Sequence, residues 1–402
     1  MSGRTATASL PSICSLVTDG THDSPKLQPS GVPFIKGKHI SSGHIDFETC
    51  DFITEDDHLK CVKRVKPQVD DVLFANIGSV GDVARVSDER DFSIKNVALF
   101  RPDPRKVDPT YFYYLVVSKV FRGVFLNVRS GAAQPFISLE AFRSHRFPFN
   151  SDKTQQRKIG TILSSYDDLI ENNRRRMVLL EEAARQLYRE WFVRLRFPGH
   201  EHTPITNGVP EGWERTTASS AMEVLSGGTP KTSIGDYWEG DIPFYTPKDA
   251  AETCYVLSTE RGITELGLKN CNSRLYAPDT VFISARGTVG KLNLASRPMA
   301  MSQSCYALLG KGHVPQLFLF CALKEAIEHF KQHAVGAVFD AIVVDTFKAI
   351  PFTVPGGRMV RLFEETVMPM FRKVANLMEQ NQKLRAARDL LLPRLVSGVI
   401  SV

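Results

Sequence analysis

Asp70-Asp71-Val72-Leu73-Phe74, closed by Gly78-Ser79-Val80-Gly81, returns as Asp279-Thr280-Val281-Phe282-Ile283, closed by Gly287-Thr288-Val289-Gly290. A short apolar run ended by a Gly-bounded turn reads as a buried strand and its loop, and here the pair is written twice. Around it, Val32-Pro33-Phe34 recurs as Ile242-Pro243-Phe244, and Gly131-Ala132 followed by Phe142 recurs as Gly336-Ala337 followed by Phe347. The offset is about 208 residues, far beyond the roughly 20 to 50 of solenoids and propellers, so each copy folds around its own core. Small drifts in the offset mark loop insertions.

Residues 20–149 hold strand-like runs at 72–75 and 96–100 and a helical stretch near 111–121; residues 212–355 repeat the style, with strands at 241–245, 280–285 and 304–309 and a helix at 316–333. Between them, residues 152–192 contain no Pro and only Gly160, with Asp152 and Gln155 spaced as a capping-box variant. Ile159, Leu163, Tyr166, Ile170, Met177, Leu180, Ala184, Leu187 and Trp191 step by four and three, with Asn173 in one polar slot, which is a heptad seam. At 1.5 Å per residue such a helix spans roughly 60 Å, more than one small domain needs. Phe363, Val367, Met370, Val374, Leu377, Asn381, Leu384 and Leu391 continue the same stripe in the second copy, until Pro393 stops the helix near its end. Two long seams in one chain can pair as an antiparallel coiled coil, with Asn173 and Asn381 fixing the register. The alternative is that each helix packs on its own domain and merely tolerates its Asn.

The expected organisation is therefore a first domain at 1–151, a central long helix at 152–197, a turn-rich linker at 198–211, a second domain at 212–357 and a distal long helix at 358–402. The fold class is mixed α/β (α+β).

Composition narrows the function less than the repeat does. A 402-residue chain with 43% hydrophobic and 23% charged residues is ordinary globular material. A formal charge of +6 permits a polyanionic partner without requiring one. Seven scattered cysteines with no CxxC pair argue for a reducing cytosol and against a disulfide framework or a cysteine zinc site. Residues 1–10 lack the pattern of a secretory signal, and no stretch approaches the roughly 20 apolar residues of a membrane span; the expectation is a cytoplasmic protein with no membrane partner.

No catalytic or metal site is expected. Gly287-Thr288-Val289-Gly290-Lys291 fails as a Walker A loop, because Ala285 stands where the first Gly belongs and Leu292 where Ser or Thr should bind magnesium. Neither copy has GxGxxG after a strand, nor the Asn or Asp followed by two prolines and an aromatic that amino-methyltransferases use to grip a base. His329 and His333 are spaced for a shared metal but lack the Glu of HExxH, and no Ser sits in a nucleophile elbow. What remains is a set of polar residues on the Gly-bounded loops: Lys36, Lys38, His39, Asn76, Ser79, Arg129 and Gln134 in the first copy, and Lys248, Arg286, Thr288, Lys291 and Gln303 in the second. Arg and Lys pair with guanine edges, Asn and Gln with adenine edges, and small hydroxyls approach the phosphate backbone. Each taken alone is also an ordinary surface side chain; the set points to DNA.

Gly227-Gly228-Thr229-Pro230-Lys231, then Tyr237-Trp238-Glu239-Gly240-Asp241-Ile242-Pro243-Phe244, then Thr246-Pro247-Lys248-Asp249, resembles the opening of a target recognition domain in the specificity subunits of type I restriction-modification systems. Leu180-Glu181-Glu182 through Trp191-Phe192 and Arg196-Phe197-Pro198-Gly199-His200-Glu201 is similar to their central helical region, and Arg388-Asp389-Leu390-Leu391-Leu392-Pro393-Arg394-Leu395 with Ser397-Gly398 to their distal one. The resemblance implies two recognition domains in a pseudo-twofold arrangement, each reading half of a bipartite double-stranded DNA site, with antiparallel helices that space them and dock two modification subunits. It implies no cofactor in this chain: S-adenosylmethionine belongs to the modification subunits, and ATP and Mg2+ to restriction subunits that can join them. The first copy departs from the pattern, with Asp19-Gly20-Thr21-His22-Asp23 replacing Gly-Gly-Thr-Pro-Lys and no Arg before Gly78.

On this reading the half-sites are inverted, unlike one another, and near one helical turn apart, roughly 34 Å. A free-standing DNA-binding regulator and a coiled-coil adaptor protein are the competing classes; the first would bind DNA without modification subunits and the second would show no dependence on DNA.

Overall fold

In the computed structural model, residues 5–41, 43–78, 80–126, 136–287, 289–333 and 342–402 are described. The chain forms two compact units, residues 1–170 with 383–402, and residues 171–382.

In the first unit an antiparallel sheet runs in the order Cys14–Asp19, Ala98–Pro102, Val72–Phe74, Val83–Arg85. A second sheet has Val32–Lys36 at its centre, antiparallel to Asp51–Ile53 and parallel to Ser93–Lys95, and Thr5–Ser9 pairs with Arg146–Asn150. The second unit repeats each piece. Met222–Ser226, Cys305–Gly310, Val281–Ser284 and Leu292–Ala295 form the matching sheet, with Tyr255–Val256 added in parallel at its edge. Trp238–Tyr245 lies between Gly262–Ile263 and Ala300–Met301, and Glu214–Thr217 pairs with Pro351–Val354. The duplicated run that opens the sequence is the buried heart of each sheet: Val72, Leu73 and Phe74, and Val281, Phe282 and Ile283, have no exposed surface.

The same backbone conditions recur at the ends of these strands. Asp70 and Asp279 both enter them at positive φ, 75° and 65°, a conformation that a short carboxylate side chain tolerates better than most. Gly78 and Gly287 leave them at the same φ of 78°. Backbone pairing corrects one detail of the repeat. The Gly20 N–H donates to Val97 and the Thr21 N–H to Ile94, as Gly227 donates to Cys305 and Gly228 to Met301, so Gly20 answers to Gly227 and Thr21 to Gly228. A Cβ on Gly20 would fall on the Ile94 carbonyl, and one on Gly227 on the carbonyls of Met301 and Ser302; close backbone approach is what requires glycine there. The Gly131-Ala132 and Gly336-Ala337 repeats lie outside the described residues.

The central helix spans Lys153–Tyr188 and continues as a π-helical turn over Arg189–Val193. Asp152 caps it by accepting the Thr154 N–H at 2.8 Å. The expected reciprocal bond from Gln155 is missing, because Gln155 Oε1 instead accepts from the Asn150 side chain at 3.1 Å and Asn150 Oδ1 takes the Asp152 N–H. The distal helix spans Gly357–Val396 and does not stop at Pro393. A proline removes one N–H donor and its ring crowds the preceding turn, yet within a turn of the terminus the loss is small, and the Pro393 carbonyl still accepts the Ser397 N–H at 3.0 Å.

Both helices enter both units, and in each unit they run antiparallel. In the second, Asn173 lies against Asn381 and Trp191 against Phe363, with rings 5.9 Å apart; Met177, Ala184 and Trp191 share one apolar cluster with Phe363, Val367, Val374 and Leu377, and Leu180 and Leu187 pack on it. In the first, Asp167 pairs with Arg388, and Ile159 and Leu163 share a cluster with Leu392, Leu395 and Val396, against which Leu391 packs. Tyr166 and Leu384 are half-buried. Each cluster also contains strand and helix residues of its own unit, such as Phe100 and Phe121 in one and Ile283 and Phe318 in the other. Pairing of the seams and packing on the domains therefore occur together rather than as alternatives.

The Asn173 Nδ2 donates to Asn381 Oδ1 at 3.0 Å, with the two residues only 7% and 3% exposed. Replacing one partner by leucine removes this bond from a buried site, at ~1 kcal/mol or more. Asn173→Leu should lower the melting temperature, and Asn173→Leu with Asn381→Leu should recover the loss; thermal denaturation of the three chains checks both.

Candidate nucleic-acid interface

Three loops of the second copy meet at one edge of its sheets. The turn Pro247–Asp249 follows Trp238–Tyr245, residues 285–287 follow Val281–Ser284, and residues 302–304 precede Cys305–Gly310. They are tied to each other: the Ala285 N–H donates to the Ser304 carbonyl at 2.9 Å and the Ser302 N–H to the Tyr245 carbonyl at 2.8 Å, while a Cβ on Gly287 would lie 3.5 Å from the Pro247 Cβ. This brings Lys248, Arg286 and Gln303 to one exposed edge. Among the described residues Arg286 makes no ion pair, and Lys248, its side chain 81% exposed, pairs with Glu260 alone, at 4.0 Å. Lys291 is turned aside into an ion pair with Glu252.

The turn that carries Lys248 is held from within. Asp249 Oδ2 accepts the Thr246 N–H at 2.8 Å and its hydroxyl at 2.7 Å, and Oδ1 accepts the Glu260 N–H at 2.7 Å. Its counterpart in the first copy is Gly37–His39, where Lys38 stands in the place of Lys248 and His39 in the place of Asp249. The imidazole does the carboxylate's work: His39 Nδ1 accepts the Lys36 N–H at 3.1 Å. Lys36 and Lys38 share the Asp51 carboxylate at 2.7 and 3.6 Å, and the hydrogen bond from Lys36 holds that carboxyl below its usual range.

Asn76, expected among the readers, is interior. Its Nδ2 donates to the Ile137 carbonyl at 3.1 Å and its own carbonyl accepts the Ile137 N–H at 2.9 Å, so its role is to clamp residue 137 to the sheet edge. Ser79, Arg129, Gln134 and Thr288 lie outside the described residues.

The sequence pattern of the type I restriction modification DNA specificity domain matches residues 8–182 and 210–356, most of the chain and both copies. The chain belongs to this family. Among similar proteins, the type I restriction enzyme MjaIX specificity subunit of Methanocaldococcus jannaschii is 27% identical over 73% of this chain and 69% of its own length. The HindI specificity subunit of Haemophilus influenzae is 23% identical over 75% and 80%. The crystal structure of a type I restriction-modification system S subunit from M. genitalium, 18% identical, superposes with a TM-score of 0.60 over 98% of this chain and 96% of that one, which shows a shared fold.

Several residues that position the edge of this specificity subunit carry no local sequence signal. Arg372 of the distal helix grips Asp279 through two bonds of 2.9 and 2.5 Å, and the Tyr255 hydroxyl donates to the same carboxylate at 2.7 Å. Glu364, also on the distal helix, accepts the N–H groups of Leu317 and Phe318 at 3.3 and 3.0 Å and so caps the helix Gln316–His333, satisfying donors that a helix start leaves open. Among the described residues no group of three or more His, Cys, Asp or Glu is placed to hold a metal, and no helix is long and apolar enough to cross a membrane.

The exchange of Asp249 for His39 places an imidazole in the first copy's turn. Burial, then the Lys38 charge, pushes the His39 imidazole below 6.5, against a smaller opposing pull from Asp51. The folded chain therefore keeps His39 neutral while the unfolded chain takes up a proton, so this contribution is complete above pH 6.5 and is lost as pH falls through the lowered folded value. His39→Asn, which keeps an acceptor and cannot titrate, should flatten part of the fall in melting temperature seen as pH drops below 6.5.

Proposed function

We propose that this specificity subunit directs a type I DNA-modifying complex by reading two different half-sites of an asymmetric bipartite sequence, one with each copy. The observation that carries this is the divergence of one position on two matching edges: Gly78 and Gly287 share the same backbone angle, yet the residue before them is Ile77 in one copy and Arg286 in the other. The scaffolds agree and the side chains offered to a base edge do not. In the second copy, Arg286 supplies a two-pronged donor for guanine, Gln303 an amide for adenine, and Lys248 a phosphate contact.

The paired helices set the spacer between half-sites and dock two modification subunits, which bind S-adenosylmethionine and methylate adenine; restriction subunits, where present, use ATP and Mg2+. The chain itself makes and breaks no bonds. Its seams support the spacing role, because helices that pair in a fixed register have a fixed length. Binding also assists distortion of the duplex when a target base leaves the stack for the partner's pocket.

Arg286→Ala should relax one half-site and leave the other unchanged, with a loss of discrimination of ~1 to 3 kcal/mol at the affected base; mapping methylated adenines across a host genome reads this directly, and an unchanged motif refutes direct readout by Arg286. Lengthening both helices by one turn should alter the preferred spacer while keeping both half-sites. Altered half-site bases in that experiment would refute the spacing role.

A further inference from the structure

We propose that Phe136 of the first copy contacts the 5-methyl group of a thymine in the major groove, with Ile77 behind it. This rests on the reading of the chain as a DNA-recognising subunit and assigns a base contact to its first copy. Phe136 is 40% exposed and is the one exposed Phe among the described residues. Its backbone is nonetheless firmly held. It bridges antiparallel to Ile77, and the next residue, Ile137, is fixed by both hydrogen bonds to Asn76 and has no exposed surface. In an extended segment successive side chains point to opposite sides, so anchoring Ile137 in the core aims Phe136 outward. A partly exposed ring whose backbone is fixed by its neighbours is placed to be covered by a ligand.

The place of that ring defines the ligand. Ile77 occupies the position of Arg286, which makes no ion pair with a described residue, and is half-buried beside Gly78. Where the second copy offers hydrogen-bond donors, the first offers apolar surface. On the major-groove edge of a base pair the apolar feature is the thymine 5-methyl group, which phenylalanine is suited to meet.

The test uses the full chain assembled with its modification subunits. The methylated motif is mapped, and binding is then measured to duplexes carrying it with each thymine replaced in turn by uracil, which lacks only the methyl group. Replacement at one thymine of one half-site should weaken binding about fourfold, the factor that burying one methyl-sized group is worth. Phe136→Ala should bind the thymine and uracil duplexes equally at that position, and Phe136→Leu should keep part of the preference. A native complex indifferent to uracil at every position overturns the proposal with no variant needed, as does a preference that survives in Phe136→Ala. Loss of binding in Phe136→Ala by a complex blind to uracil also overturns it, in favour of a ring wedged between base pairs. If the native complex methylates no bipartite motif at all, DNA reading fails as a function and the thymine contact fails with it.

Discussion

The structure depends on the register of two long helices, and one buried polar contact sets it. An apolar seam can slide by a heptad and still bury leucines, but Asn173 and Asn381 can meet in only one alignment. A buried polar pair contributes little net stability next to two well-packed apolar residues, so its value lies in excluding other alignments. The cost of slipping is raised further because both helices supply core residues to both units: Leu163 and Leu395 pack in one cluster, and Met177 and Val374 in the other. A slip would pull these side chains out of cores they share with the recognition sheets.

Onto that frame the two recognition copies place the same turns with different chemistry. Lys38 and Lys248 ride on equivalent turns, yet one is closed by a histidine and the other by an aspartate. The equivalent backbone N–H is bound by an imidazole nitrogen in one and by a carboxylate oxygen in the other. Backbone geometry is retained where neighbouring backbone comes too close for a side chain, as at Gly20 and Gly227. Side chains vary at Ile77 and Arg286, of which the first is half-buried and the second exposed.

Much of this architecture is legible in the sequence, because apolar runs and heptads are local patterns. The strands around Val72 and Val281 and the seam from Ile159 to Trp191 are examples, and the Asn pair follows from their matching offset. The misjudged features depend on distant partners. Asn76 has the residue type of a base reader, but its amide is taken by Ile137, 61 residues away. The Asp152–Gln155 spacing suggests a capping box until Asn150 claims Gln155. Matching Asp19-Gly20 to Gly227-Gly228 by residue type misses by one position, since only the hydrogen bonds to the neighbouring strand define the register. Phe136 carries no signal at all: a phenylalanine in an apolar sequence is normally core, and only its anchored neighbour shows which way it points.

The same accounting of partners ranks the basic residues of the candidate interface. Arg64, Arg85, Arg101 and Arg372 are close to loops and edges, but each is bound to an aspartate of its own unit, Asp19, Asp70, Asp71 and Asp279; these bonds hold the sheets' ends in place. A cation already paired must give up its carboxylate before it can serve a phosphate or a base, and charge-assisted bonds are the stronger kind. Lys36 and Lys291 carry that penalty through Asp51 and Glu252. Among the described residues Arg286 has no such partner, and Lys248 scarcely has one, because an exposed contact at 4.0 Å is worth little in water. Lys248 also stands on a turn that Asp249 holds by hydrogen bonds to Thr246, so that turn does not have to be ordered on binding. By that criterion Arg286 and Lys248 are the cations of the second copy's candidate interface that a DNA partner could take up at least cost.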